Sequence, residues 1–197
     1  GVIPVVATFF VFSDYMKPAV RLAALMQLPV KYVWTHDAFR VGEDGPTHQP
    51  VEQEAQIRLL EHLRNHHGDR SMLVLRPADS NETTVSWKMA IENTQTPTAL
   101  LLSRQGIENI PPADGNPYKS ALKAERGAYI VKDPGVIPDV ILVANGSEVS
   151  TVFEGAKLLE EKTNLKVRVV SAISEGLFRD QDEAYQREIL PPEIPTI

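Results

Sequence analysis

Nine consecutive residues, Gly42-Glu43-Asp44-Gly45-Pro46-Thr47-His48-Gln49-Pro50, bring two carboxylates, an imidazole and two turn-forming glycines into one short stretch. Such a loop is built to present chemistry, because an imidazole can take or give a proton near neutral pH and a carboxylate can accept one. A second imidazole and another acid precede it in Thr35-His36-Asp37, and a guanidinium follows much later in Leu102-Ser103-Arg104-Gln105. Phe9, Phe12 and Tyr15 recur at i, i+3 and i+6 near the amino end. Each feature also has a plain structural reading. A loop histidine can simply satisfy backbone groups, an arginine at a sheet edge can form an ion pair, and an aromatic stripe at helical spacing can be core packing.

The elements that must position these residues alternate. Residues 5–8, 30–35, 72–75 and 98–102 read as buried strands, and residues 12–27, 51–63 and 80–93 as helices. Pro50 suits a first helical residue, Asp79 and Glu82 have capping-box spacing, and Pro18 should kink the first helix or mark its true start. This rhythm predicts a three-layer α/β domain with a parallel sheet between helices. In such sheets ligands bind beyond the carboxyl ends of the strands, where this chain places His36 and Asp37, Arg76 and Asp79, and Ser103 and Arg104. Turn chemistry from residue 106 to 125 marks a linker. A second α/β series follows, with strands at 128–131, 140–144 and 167–170 and a helix at 148–162 capped by Ser147. That series is too short to be a whole domain. Asn145-Gly146-Ser147-Glu148 is explained by capping and is given no catalytic role.

The bulk properties narrow the classes of function. The chain has 197 residues, 43% hydrophobic and 23% charged, which is enough for a sizeable core and too apolar for disorder. A net charge of −6 and a pI near 5.4 argue against a nucleic-acid partner. The absence of cysteine removes disulfides, thiolate nucleophiles and cysteine-based metal sites, and fits a cytoplasmic location. Residues 2–12 form the only long apolar stretch, too short to span a bilayer, so no membrane partner is expected. His66-His67 lies in a polar stretch without ligand spacing, and no metal site is expected within the chain. Both ends look cut: the chain starts at Gly1 and stops at Ile194-Pro195-Thr196-Ile197 as an apolar run begins.

Thr35-His36-Asp37 followed by the string Gly42 through Pro50 closely resembles the pyrimidine-domain signature of transketolases, which use thiamin diphosphate. Thr8-Phe9-Phe10-Val11-Phe12-Ser13-Asp14-Tyr15 and Leu102-Ser103-Arg104-Gln105 extend the resemblance, as do residues 140–148 and 184–191. The resemblance implies that Phe9, Phe12 and Tyr15 surround the aminopyrimidine ring of the cofactor. It implies that Arg104 and His36 lie at the sugar phosphate, that Asp44 accepts a hydrogen bond from a donor hydroxyl, and that His48 contacts the two-carbon fragment. His48 and Asp44 are thereby the catalytic candidates. The chain departs from the family at Ala38-Phe39-Arg40, where many members have Ser-Ile-Gly, so Arg40 adds phosphate affinity or points to solvent.

The expectation is therefore a transketolase fragment: a pyrimidine-binding domain over residues 1–115, lacking its beginning, and an incomplete carboxyl-terminal domain over 116–197. By resemblance, the intact enzyme is a homodimer of the pentose phosphate pathway that moves a two-carbon ketol unit from a ketose phosphate to an aldose phosphate. The glutamate that activates the aminopyrimidine and the site for the diphosphate with Mg²⁺ or Ca²⁺ would lie outside these residues, leaving the isolated chain inactive. Rivals are another thiamin enzyme, such as dihydroxyacetone synthase or deoxyxylulose phosphate synthase, and a noncatalytic interaction module retaining the fold. The intact loop signature disfavours the deoxyxylulose phosphate enzyme.

Overall fold

A computed structural model describes residues 1–112 and 115–197. Ala113 and Asp114, inside the expected linker, lie outside the described residues. The chain forms two compact units, one of residues 1–76 and 86–106 and the other of residues 77–85 and 107–197.

The first unit holds β1 (Val5–Phe9), β2 (Lys31–Thr35), β3 (Leu73–Leu75) and β4 (Thr98–Leu101), all parallel in the order β1-β2-β4-β3. Strands β3 and β4 are buried throughout, which is why they read as continuous apolar runs rather than alternating ones. Helices α1 (Ser13–Leu25) and α2 (Gln53–His62) follow β1 and β2 in the chain. Their apolar faces deliver Val20, Ala23 and Ile57 to a core with Phe10, Tyr32, Trp34, Met72, Val74, Ala99 and Leu101. Trp34 is completely buried, its ring 5.7 Å from that of Phe10 and its indole N–H 3.4 Å from the Met16 sulfur. Lys31 is also buried and donates to the Asn93 carbonyl at 2.5 Å, and burial lowers its pKa. Pro18 stands inside α1, which continues for seven residues beyond it. It neither breaks nor begins the helix, although at the sixth helical residue it removes the N–H that would bond the Asp14 carbonyl.

Helix α3 (Ser80–Glu92) is shared in sequence between the units, with residues 80–85 in the second. Its expected cap is present in modified form. Asp79 Oδ1 accepts from the Glu82 N–H at 2.9 Å, but Glu82 reaches back to the Ala78 N–H, at 2.8 Å.

The second unit contains α4 (Pro117–Ala121), β5 (Tyr129–Lys132), β6 (Val140–Ala144), α5 (Glu148–Lys162), β7 (Val167–Ser171), α6 (Glu175–Arg179) and α7 (Glu183–Ile189). Its sheet has the order β5-β7-β6, with β6 parallel and β5 antiparallel to β7. Alternation alone suggested parallel pairing. The seven residues between β5 and β6 carry no helix to make a crossover, so the direction of β5 is not governed by the βαβ rule. Ser147 occupies the residue before α5 but makes no capping hydrogen bond; its hydroxyl lies 3.2 Å from Oε2 of Glu148. Residues 195–197 run along β6, where Ile141 and Val143 donate to the carbonyls of Pro195 and Ile197 at 2.9 and 2.8 Å. Among the described residues no helix is long and apolar enough to cross a membrane.

Candidate functional site

The site grows from the carboxyl ends of the first unit's parallel strands. After β1 the chain turns through a 3₁₀ segment, Phe10–Phe12, into α1, so that Phe9, Phe12 and Tyr15 follow one another along that entry. Their rings form a connected series, with centroids 6.1 Å apart for Phe9 and Phe12 and 6.2 Å for Phe12 and Tyr15. Phe10, between them, points instead into the core. Tyr15 is 84% exposed, so it does not serve as core in this chain.

Beyond β2 the backbone is unusual. His36, Ala38 and Arg40 have φ of 63°, 95° and 58°, in the left-handed region that side chains rarely enter. Strain of this kind persists only where surroundings over-determine it, and here the anchor is Asp37. Asp37 is buried, and its Oδ2 accepts from Arg76 Nε at 3.1 Å and Nη2 at 2.9 Å. Arg76, the residue after β3, also has Nη1 3.4 Å from Glu54 Oε2 on α2. The Asp37 and Arg76 pair thus pins the loop to the strand ends. It holds the neighbouring His36 ring over Phe9, with centroids 3.8 Å apart. Thr35 Oγ1 is 2.9 Å from Nδ1 of His36, which directs Nε2 of the ring away from the strand.

Two 3₁₀ turns, Gly42–Asp44 and Pro46–His48, meet at Gly45. Gly42 and Gly45 have φ of 80° and 78°, which explains glycine at both ends of the acidic turn. The turns bring His48 edge-on to Phe9 and Phe12, at centroid distances of 5.7 and 5.4 Å. They also bring Asp44 between a guanidinium and an imidazole: its Oδ2 lies 2.7 Å from Arg104 Nε and 3.8 Å from His36 Nε2. The Arg104 N–H is not aimed at that oxygen, so the contact is one of charge rather than a hydrogen bond. Arg104 follows β4, and the adjoining Gln105 donates to the Phe39 carbonyl at 3.4 Å.

All seven candidates, Phe9, Phe12, Tyr15, His36, Asp44, His48 and Arg104, therefore join one chain of contacts. Asp79 does not: its carboxylate caps α3 and accepts from the Ile110 N–H at 2.9 Å, both within the second unit. His66 and His67 lie in an exposed turn. Arg40 is exposed, its guanidinium 5.1 Å from the ring centroid of Phe39. Arg76 and Asp37, rim residues by their places after β3 and β2, bind each other. Thirty-nine positions apart, they gave no local signal beyond opposite charge at two strand ends.

The first unit is a parallel-sheet α/β domain of the ligand-binding kind, with aromatic, imidazole, carboxylate and guanidinium groups gathered beyond its strands. Residues 1–109 match the transketolase pyrimidine-binding domain and residues 127–197 the transketolase-like carboxyl-terminal domain. The chain belongs to the transketolase family. It is 47% identical over 188 residues to the transketolase of Bacillus subtilis strain 168, covering 95% of this chain and 26% of that protein. The Aquifex aeolicus transketolase is 42% identical over 194 residues, covering 98% of this chain and again 26% of the relative. Among solved structures, Leishmania mexicana transketolase superposes with a TM-score of 0.84 at 41% identity, over 99% of this chain and 26% of that one. The chain thus spans about a quarter of the length of the curated relatives it matches.

Proposed function

We propose that this chain supplies the pyrimidine-binding and carboxyl-terminal parts of a transketolase, divided at residues 115 and 116. The enzyme transfers a two-carbon ketol unit from a ketose phosphate to an aldose phosphate in the pentose phosphate pathway, acting as a cytoplasmic homodimer. The observation that carries this reading is the contact series in which the aromatic residues hold both His48 and His36, and His36 leads on to Asp44 and Arg104. It offers a flat apolar wall, then proton-transfer groups, then an anion site, in the order that a ring cofactor and a phosphate-ended sugar would need. The names of the relatives favour transketolase over dihydroxyacetone synthase.

Phe9, Phe12 and Tyr15 suit a heteroaromatic ring, each stacked pair adding about 0.5 to 1.5 kcal/mol beyond area burial. Thiamin diphosphate, when bound, supplies the electron sink for breaking a carbon–carbon bond beside a carbonyl. In this reading its diphosphate, with Mg²⁺ or Ca²⁺, is held by parts of the enzyme outside these 197 residues. His48, placed against Phe9 and Phe12, holds or moves a proton on the two-carbon fragment. Asp44 accepts a hydrogen bond from a donor hydroxyl, and His36 and Arg104 take the phosphate.

Arg104→Ala in the intact enzyme tests the assignment. Charge-assisted hydrogen bonds contribute about 1.5 to 3 kcal/mol, so kcat/KM for phosphorylated donors should fall roughly tenfold to a hundredfold. Unphosphorylated donors should lose little. An equal loss with both donor types would remove Arg104 from the phosphate site.

A further inference from the structure

The guanidinium and the imidazole assigned to the sugar phosphate both face the single carboxylate assigned to a sugar hydroxyl. Asp44 Oδ2 is shut off from solvent, 2.7 Å from Arg104 Nε and 3.8 Å from His36 Nε2, and accepts no hydrogen bond. A carboxylate in that condition has given up water for charge alone, an arrangement that leaves its bonding capacity unused. It also takes up the Nε edge of Arg104, one of the two edges a guanidinium can offer to an anion. A phosphate dianion and a carboxylate within about 4 to 6 Å repel each other, so both cannot hold that guanidinium at full strength. The carrier of the carboxylate is able to yield. Asp44 ends a three-residue turn between Gly42 and Gly45, both at positive φ, and nothing crowds the Cβ position of Gly45.

We propose that Asp44 is an internal stand-in for the substrate phosphate, and that a phosphorylated donor displaces its carboxylate from Arg104, freeing Oδ2 to accept the donor hydroxyl. The inference rests on the reading above, in which Arg104 binds the sugar phosphate. Asp44 then determines specificity as well as contacting substrate. A donor with a phosphate gains the guanidinium and releases the hydroxyl acceptor in one exchange, whereas an unphosphorylated donor meets an Asp44 still engaged by Arg104. No bond is made or broken, and no proton changes hands.

The holoenzyme, saturated with thiamin diphosphate and its divalent cation, allows a test with inorganic phosphite as the probe. An unphosphorylated ketose donor and an unphosphorylated aldehyde acceptor leave the phosphate subsite open. Phosphite should raise kcat/KM for that donor severalfold and saturably in the parent enzyme. Arg104→Ala should abolish the activation. Asp44→Asn, which keeps the shape and removes the competing charge, should bind phosphite roughly fivefold more tightly yet show no activation, because the hydroxyl acceptor is gone. The proposal is overturned if phosphite only inhibits the parent, or if Asp44→Asn binds it no more tightly while Arg104→Ala has lost it. Those results leave Arg104 at the phosphate. If Arg104→Ala instead retains phosphite affinity and the preference for phosphorylated donors, the underlying phosphate assignment fails and the exchange falls with it. The parent measurement needs no variant, so a poorly folding mutant leaves the test intact.

Discussion

Glu82→Gln should flatten the pH dependence of stability. Glu82 is 1% exposed in the second unit, its Oε1 accepting from the Tyr129 hydroxyl at 2.9 Å and the Ser171 hydroxyl at 2.7 Å, and its Oε2 from the Ala78 N–H at 2.8 Å. Burial raises its pKa from 4.5 to about 7, outweighing the opposing hydrogen bonds from Ser171, Ala78 and Tyr129. Asp79 adds a smaller push in the same direction. Burial and the neighbouring Glu82 in turn hold the Tyr129 phenol protonated far above its usual range.

Because the folded pKa is the higher one, the folded state holds a proton that the unfolded state has released between pH 4.5 and about 7. Stability from this group is therefore fully present below pH 4.5 and is lost as pH rises through 7. A shift of one unit corresponds to about 1.4 kcal/mol, so between pH 5.5 and 8 ionisation of Glu82 costs on the order of 2 kcal/mol. In Glu82→Gln that loss disappears. At pH 5.5, where Glu82 is itself a neutral acid with one carbonyl acceptor, the variant should lie within about 1 kcal/mol of the parent. Urea denaturation of both proteins at pH 5.5 and 8, read as the difference between them, cancels the other titrating groups. Equal losses in parent and variant over that interval would refute the argument.

Two further perturbations test other parts of the structure. Phe12→Ala removes the ring between Phe9, His48 and Tyr15, so the Kd of thiamin diphosphate in the intact enzyme should rise about tenfold by calorimetry; an unchanged Kd would return the aromatic series to packing. Gly127→Ala should destabilise the protein by about 3 kcal/mol, because Gly127 has φ of 88° and a Cβ there would sit 2.3 Å from the Phe178 nitrogen and 2.5 Å from the Ser174 carbonyl oxygen. A thermal midpoint within a degree of the parent would show that α6 yields freely.

What was legible in the sequence was what depends on neighbours along the chain. The strands β3 and β4 were visible because burial on both faces writes itself as short apolar runs, and β1 and β2, less completely buried, because they keep the β-branched and aromatic residues of a strand. His36 and Arg104 stand just past strand ends, while Asp44 and His48 were visible from the composition of the loop after β2. Pairing across long separations left weaker traces. Nothing near Asp37 names Arg76 as its partner, and nothing near Glu82 announces Tyr129 or Ser171, 47 and 89 positions away. The capping-box spacing did find Glu82, but assigned it only a local duty at the helix start. Its buried position gives it a second one, since a carboxylate that caps a helix and takes two hydroxyls cannot also reach water. The antiparallel β5 escaped for a related reason: a strand's direction is set by the connection it needs, and residues 133–139 make a loop rather than a helix. The contact of Asp44 with Arg104 is the most instructive case. Each residue was assigned a ligand of its own, and only the geometry shows that each also answers the other's charge. Sites that bind anions carry this ambiguity in their sequence, because the side chains that recognise a ligand are also able to recognise one another.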